Sequence, residues 1–126
     1  MKKIDKEIIE DILALTPMQE GMLFHYLKEQ RGDLYFEQLS LELSGFLARE
    51  FFERAWNNVV QANPMLRTFF RWENLDKPAQ VVLKQHSPDI RFYDLSTIQG
   101  PGPQRLRLET IKQQDRDKGF DLRGVP

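Results

Sequence analysis

His25 and His86 are the only imidazoles in the chain, and imidazole is the side chain best matched to proton transfer near neutral pH. The two stand far apart, each beside a different predicted element, and neither lies in a His-Glu-x-x-His pattern that would set two metal ligands on one helical face. A zinc site here would need a carboxylate as third ligand, so the expectation is no metal. His25 reads as a polar residue near a helix end and His86 as a residue on a strand-end surface. Ser40, Ser44, Ser87 and Ser96 lack the Gly-x-Ser-x-Gly setting of a nucleophile elbow. No glycine leads into a Lys-Ser or Lys-Thr pair, so no phosphate-cradling loop is present. With no cysteine, disulfides, thiolate ligands and a cysteine nucleophile are excluded. Phe69, Phe70 and Trp72 could stack on bases, but no basic stripe interleaves them, and core packing is the better account. The residues by themselves define no catalytic group.

The bulk composition narrows the class further. The chain has 126 residues, enough for one compact domain, with 40% apolar and 29% charged side chains. Lys and Arg number 18 against 19 Asp and Glu, a balance that argues against a nucleic-acid binder or a ligand of anionic membranes. No apolar run approaches bilayer length. Lysines and acids alternate at the N-terminus without the apolar core of a signal peptide. A cysteine-free soluble chain fits a reducing cytoplasm, and the expected localisation is cytoplasmic.

The elements that would hold these residues follow from periodicity. In residues 3–13, Ile4, Ile8, Ile9, Ile12 and Leu13 make one apolar stripe, which predicts a short amphipathic helix packed on its own domain or docked on a partner. Thr16-Pro17 reads as a helix start, cap followed by first-turn proline, and Met18, Met22, Leu23, Tyr26 and Leu27 recur at helical spacing behind it. Gly21 costs this helix about 1 kcal/mol relative to alanine, which close packing or an approaching ligand would have to offset. Leu39, Leu41 and Leu43 alternate with polar residues as in a half-buried strand. Residues 48–63 form a helix with Phe52, Ala55, Trp56, Val59 and Val60 as its stripe, ended by Asn63-Pro64. Residues 67–72 and 80–85 read as a hairpin, 90–93 as a further strand, the Gly-Pro-Gly-Pro run at 100–103 as a rigid turn, and 104–118 as a last, highly charged helix. The predicted class is α+β, a two-layer sandwich with helices covering a mostly antiparallel sheet.

Two stretches carry a family resemblance. Leu15-Thr16-Pro17-Met18-Gln19-Glu20-Gly21-Met22-Leu23-Phe24-His25 resembles the first core motif of condensation domains from nonribosomal peptide synthetases. Asn63-Pro64-Met65-Leu66-Arg67-Thr68-Phe69-Phe70 resembles the second, with Asn-Pro standing where a His-Glu pair is common. Tyr35-Phe36-Glu37-Gln38 and Gly119-Phe120-Asp121-Leu122 are similar to further family stretches, so the resemblance covers nearly the whole chain.

The resemblance implies one lobe of a two-lobed, chloramphenicol acetyltransferase-like fold. It also implies amide formation between aminoacyl or peptidyl thioesters held on the phosphopantetheine arms of carrier domains, with no cofactor bound by the condensation domain itself. In the family a His-His-x-x-x-Asp-Gly motif manages the proton, and it follows the Phe-Asp-Leu stretch. This sequence contains no such motif, and the expectation is an enzyme fragment, inactive alone, completed by the remainder of the domain. Residues 15–126 are then an incomplete N-lobe. Leu15, Thr16, Pro17, Met18, Gln19, Gly21, Leu66, Arg67, Thr68 and Phe69 are its structural motif residues. Gln19, Glu20 and His25 are candidates to face the cleft. The resemblance gives Arg67 the aspartate of the catalytic motif as its ion-pair partner; without it, a solvated Arg67 at a strand start is the competing expectation.

About 14 residues precede the first motif, so the domain is expected to open its polypeptide and to receive its donor from a separate upstream synthetase. Lys2, Lys3, Ile4, Lys6, Ile8 and Ile12, within residues 1–14, are the candidate docking residues for that partner. A docking and carrier-binding module without catalysis is the alternative from another class. An epimerization domain shares the fold, but its first motif departs from the Met-Gln-Glu-Gly-Met wording.

Overall fold

The computed structural model describes residues 6–28 and 35–124. After a single 3-10 turn, Lys6–Ile8, strand β1 (Ile9–Ala14) leads into helix α1 (Pro17–Lys28), and helix α2 (Arg49–Ala62) follows. A second 3-10 turn, Pro64–Arg67, feeds strand β2 (Thr68–Arg71), which pairs with β3 (Ala79–Leu83), and helix α3 (Pro101–Lys118) comes last. The three strands form one antiparallel sheet in the order β1-β3-β2. Helices packed on an antiparallel sheet make the α+β class expected from the pattern.

β3 is the centre of this sheet, and its sequence says why. Val81, Val82 and Leu83 run without polar interruption, as a strand covered on both faces requires. Phe69 on β2 stands opposite Val81, and Phe69, Val81 and Leu83 form the core cluster, with Ile9 of β1 packed against it. The β2–β3 connection turns at Asn74, whose φ of 58° is left-handed, a region that asparagine enters more readily than most residues. The hairpin stands as predicted.

β1 corrects the helix expected over residues 3–13. Its register runs Ile9 opposite Leu83, then Asp11 opposite Val82 and Ile12 opposite Val81, with a bulge between Ile9 and Asp11. One extra residue lets Ile9 and Ile12, three apart, lie on the same sheet face. That spacing is also the helical one, which is why the pattern misled. Lys2, Lys3 and Ile4 lie outside the described residues.

Three more expectations change. Residues 39–43 have the alternation of a strand but take up no ladder, and Leu39, Leu41 and Leu43 are exposed. Alternation suits a strand, but a strand also needs a neighbour's N–H and C=O groups, and none pairs with residues 39–43 among the described residues. Residues 90–93 are likewise unpaired; Phe92 instead meets Phe52 edge-on at 6.2 Å and lies under Arg49, whose guanidinium carbon is 4.3 Å from the ring centre. α3 starts at Pro101 inside the expected rigid turn, since proline fits a first helical position. It buries none of its residues, and Gln104 and Gln38 tie it down instead, through the Leu95 and Ile98 carbonyls and through the Lys112 carbonyl.

Helix faces are also narrower than predicted. α1 buries Leu23 and half-buries Gln19, His25 and Tyr26, while Met18, Met22 and Phe24 are exposed. On α2 only Val60 of the predicted stripe is buried, with Phe52 half-buried.

Truncating Phe69, 2% exposed, to alanine is expected to destabilise the fold by about 3–5 kcal/mol. The same change at Phe46, 96% exposed, should stay within about 0.5 kcal/mol. Chemical denaturation of the two variants checks both values.

Candidate functional site

Arg67 is the most densely bonded side chain of the second motif. It is 4% exposed, and it reaches four acceptors on three elements. Nε donates to the Val60 carbonyl at 3.2 Å and Nη2 to the Gln61 carbonyl at 3.2 Å, both at the end of α2. Nη1 donates to the Leu83 carbonyl at the end of β3 and to Glu10 Oε2 on β1 at 2.6 Å. An unpaired buried guanidinium would be costly; here carbonyls fix its place and one carboxylate balances its charge. This overturns the expectation of a solvated Arg67.

The local sequence explains how Arg67 arrives there. Asn63-Pro64 stops α2, with Asn63 Nδ2 donating to the Val59 carbonyl at 2.7 Å. The 3-10 turn then folds the chain back, and Thr68 Oγ1 donates to the Pro64 carbonyl at 2.8 Å. Arg67 therefore faces the last turn of the helix that precedes it.

The first motif builds a second polar cluster. Thr16 N donates to Gln19 Oε1 at 2.8 Å and Gln19 N donates to Thr16 Oγ1 at 3.3 Å, a reciprocal capping box that opens α1. Gln19 Nε2 goes on to Gln80 Oε1 at 3.1 Å, and Gln80 Nε2 donates to the Ala14 carbonyl at 2.9 Å. Gln80 is buried in β3, so this chain of amides locks α1 to the sheet. Among the described residues every buried side-chain nitrogen and oxygen has a partner.

The structure thus brings Thr16, Pro17 and Gln19 together at a helix start, and Arg67, Thr68 and Phe69 at a strand start. Leu15 is buried at the β1–α1 junction, while Met18 and Leu66 are exposed. Nothing lies within 4 Å of where a Cβ on Gly21 would be, so close packing does not explain that glycine. Gln19, offered as a cleft residue, is engaged in the cap and with Gln80. His25 is half-buried, edge-on to Phe24 at 5.6 Å and to Tyr35 at 6.1 Å. His86 lies half-buried beyond β3. Among the described residues no group of three or more His, Asp or Glu is arranged to hold a metal ion, and no helix is long and apolar enough to cross a membrane. Lys6, Ile8 and Ile12 are exposed.

Sequence reasoning missed Glu10 and Gln80. The Thr-x-x-Gln spacing of the capping box was readable. Nothing local marks Glu10, because its partner lies across the sheet.

The arrangement of both motifs can be set beside known proteins. The family model described as Condensation domain matches residues 9–126. This chain belongs to the condensation-domain family of nonribosomal peptide synthetases. It is 40% identical to Tyrocidine synthase 2 of Brevibacillus parabrevis over its full length, which is 4% of that protein. It is 31% identical to Bacitracin synthase 3 of Bacillus licheniformis over 94% of the chain and 2% of the relative. Surfactin synthase subunit 3 of Bacillus subtilis (strain 168) is 35% identical over the full chain and 10% of its own length. The chain therefore spans a small part of these relatives.

In this condensation-domain chain the Gly-Phe-Asp-Leu stretch docks beside the free edge of β2. Phe70 N donates to the Leu122 carbonyl at 3.0 Å, Arg71 Nη1 donates to the Arg123 carbonyl, and Tyr26 OH donates to the Phe120 carbonyl at 3.3 Å. Phe120 also meets Phe36 at 5.3 Å. Asp121 Oδ1 accepts from Arg123 Nε at 2.9 Å and from Arg123 N at 3.1 Å, and these bonds, with the charge of Arg123, hold its carboxyl below the usual aspartate range.

A depressed folded-state value means the turn's contribution is complete above the unfolded aspartate's pKa and is lost as pH falls through the folded one. An NMR titration should find the Asp121 carboxyl midpoint below the ordinary range, and Arg123→Ala should return it upward. An unmoved midpoint in the variant would remove Arg123 as the cause.

Proposed function

We propose that this chain supplies the first part of the N-lobe of a condensation domain whose complete form makes amide bonds between carrier-bound thioesters. In that reaction the acceptor's amine attacks the donor's thioester carbonyl; the C–N bond forms, the C–S bond breaks, and the donor's pantetheine thiol leaves with the proton the amine gives up. The observation that carries the reading is Arg67. The second motif delivers a buried arginine to the junction of α2, β1 and β3, already held in one orientation.

Arg67 in this reading anchors the aspartate of a His-His-x-x-x-Asp-Gly motif contributed by the remainder of the domain. The docked Gly-Phe-Asp-Leu stretch supports it, since in the family that motif follows such a stretch. The exposed Leu39, Leu41 and Leu43, which join no ladder among the described residues, support a neighbour that completes the sheet. The phosphopantetheine arms belong to the partner carrier domains and bring both thioesters to the cleft.

The 126-residue chain by itself forms no amide in this reading. Its two histidines are not adjacent, and a proton-managing base must be within hydrogen-bond reach of the reacting amine. Incubating the chain with loaded donor and acceptor carriers should give no product above a blank without protein; product above that blank would overturn the inactivity.

The N-terminal segment, 1–14, is in the same reading a docking element for an upstream synthetase. Exposure of Lys6, Ile8 and Ile12 leaves these side chains available to a partner. Replacing Lys2, Lys3 and Lys6 with glutamate in the complete synthetase should weaken transfer from the upstream synthetase, with acceptor loading unchanged. Equal transfer by the variant would remove the docking role.

A further inference from the structure

We propose that Glu10 is a positioning residue for Arg67, aimed at it by the bulge in β1. The inference rests on the reading above, in which the complete domain brings an aspartate to Arg67.

A guanidinium has five N–H donors in a rigid fork. Backbone carbonyls take three of them, at Val60, Gln61 and Leu83, and they set where the group lies without balancing its charge. Glu10 is the anionic acceptor of the set, at 2.6 Å from Nη1. Together the four bonds use both donors of Nη1, the one of Nε and one of Nη2. One Nη2 donor stays outside this set and is left for the incoming aspartate. Glu10 thereby selects which edge of the fork faces that aspartate.

The strand is shaped for this task. In a regular strand the pleat commits every residue to one face. The register instead passes from Ile9 opposite Leu83 to Asp11 opposite Val82, so Glu10 has no residue opposite it. A bulge of this kind re-aims a side chain. Ile9 stays packed against the core cluster and Glu10 reaches Arg67. The pair is asymmetric, with the Arg67 side chain 4% and that of Glu10 46% exposed. The carboxylate keeps part of its hydration while fixing a guanidinium that has lost nearly all of its own.

The test uses the complete condensation domain with these residues, in native form and as Glu10→Ala and Glu10→Gln. Product formation from loaded carriers is measured as kcat and KM, and thermal unfolding is recorded on the same preparations. Alanine should lower kcat by roughly 10- to 100-fold, the scale of a small misplacement of a reacting group, with KM for the acceptor unchanged. Glutamine keeps an oxygen acceptor without the charge and should recover part of the loss. Native kcat in both variants would overturn the role of Glu10 while leaving the reading of the domain intact. A loss of kcat that tracks the fall in unfolding temperature, unrelieved by glutamine, would make Glu10 merely structural and overturn it too. A native domain that forms no amide would overturn the reading itself.

Discussion

The burial of one positive charge governs how the parts of this chain meet. A guanidinium taken out of water must find acceptors for its donors and an anion for its charge. Arg67 finds them only if α2 ends where it does, if β3 ends at Leu83 and if β1 lies alongside with its bulge at Glu10. Each condition is met by a separate segment, so the ion pair reports on the assembly of all three. The apolar cluster of Phe69, Val81, Leu83 and Ile9 supplies attraction, but hydrophobic contact is non-directional. Orientation comes from the polar bonds.

The amide chain from Thr16 through Gln19 and Gln80 to Ala14 acts in the same way on the other helix. It fastens α1 to the centre of the sheet and gives the buried Gln80 amide its partners. The two family motifs therefore serve one architectural purpose by different chemistry, a neutral network for the first and a charged one for the second. Around them the surface stays rich in apolar side chains: Phe46, Phe51, Met65, Leu106 and Phe120 are all exposed. Single exposed apolar residues are ordinary. The row at Leu39, Leu41 and Leu43 is different, because it repeats with the period of a strand.

Much of this was legible in the sequence where the governing chemistry is local. The α1 start follows from Thr16-Pro17, the end of α2 from Asn63-Pro64, and the hairpin from a polar turn between apolar runs. Charge balance and the absence of cysteine bounded the class, and the wording of the two motifs pointed to the family that residues 9–126 match. Less legible were the faces of the helices. Met18 and Met22 had the right spacing for a buried stripe, yet Leu23 with Gln19 and Tyr26 turns inward, because spacing defines a face without saying which one the sheet will cover.

Local chemistry in the sequence was enough to place the start of α1 and the end of α2 and to show that the two histidines are not neighbours along the chain, since caps, prolines and residue identities act within a few positions. Only the tertiary structure decided that residues 9–14 are a strand, that Glu10 meets Arg67, and that residues 39–43 join no ladder among the described residues. A bulge makes strand spacing look helical, and a strand's hydrogen bonds are made to a distant segment. Those outcomes depend on partners that no short window of residues contains.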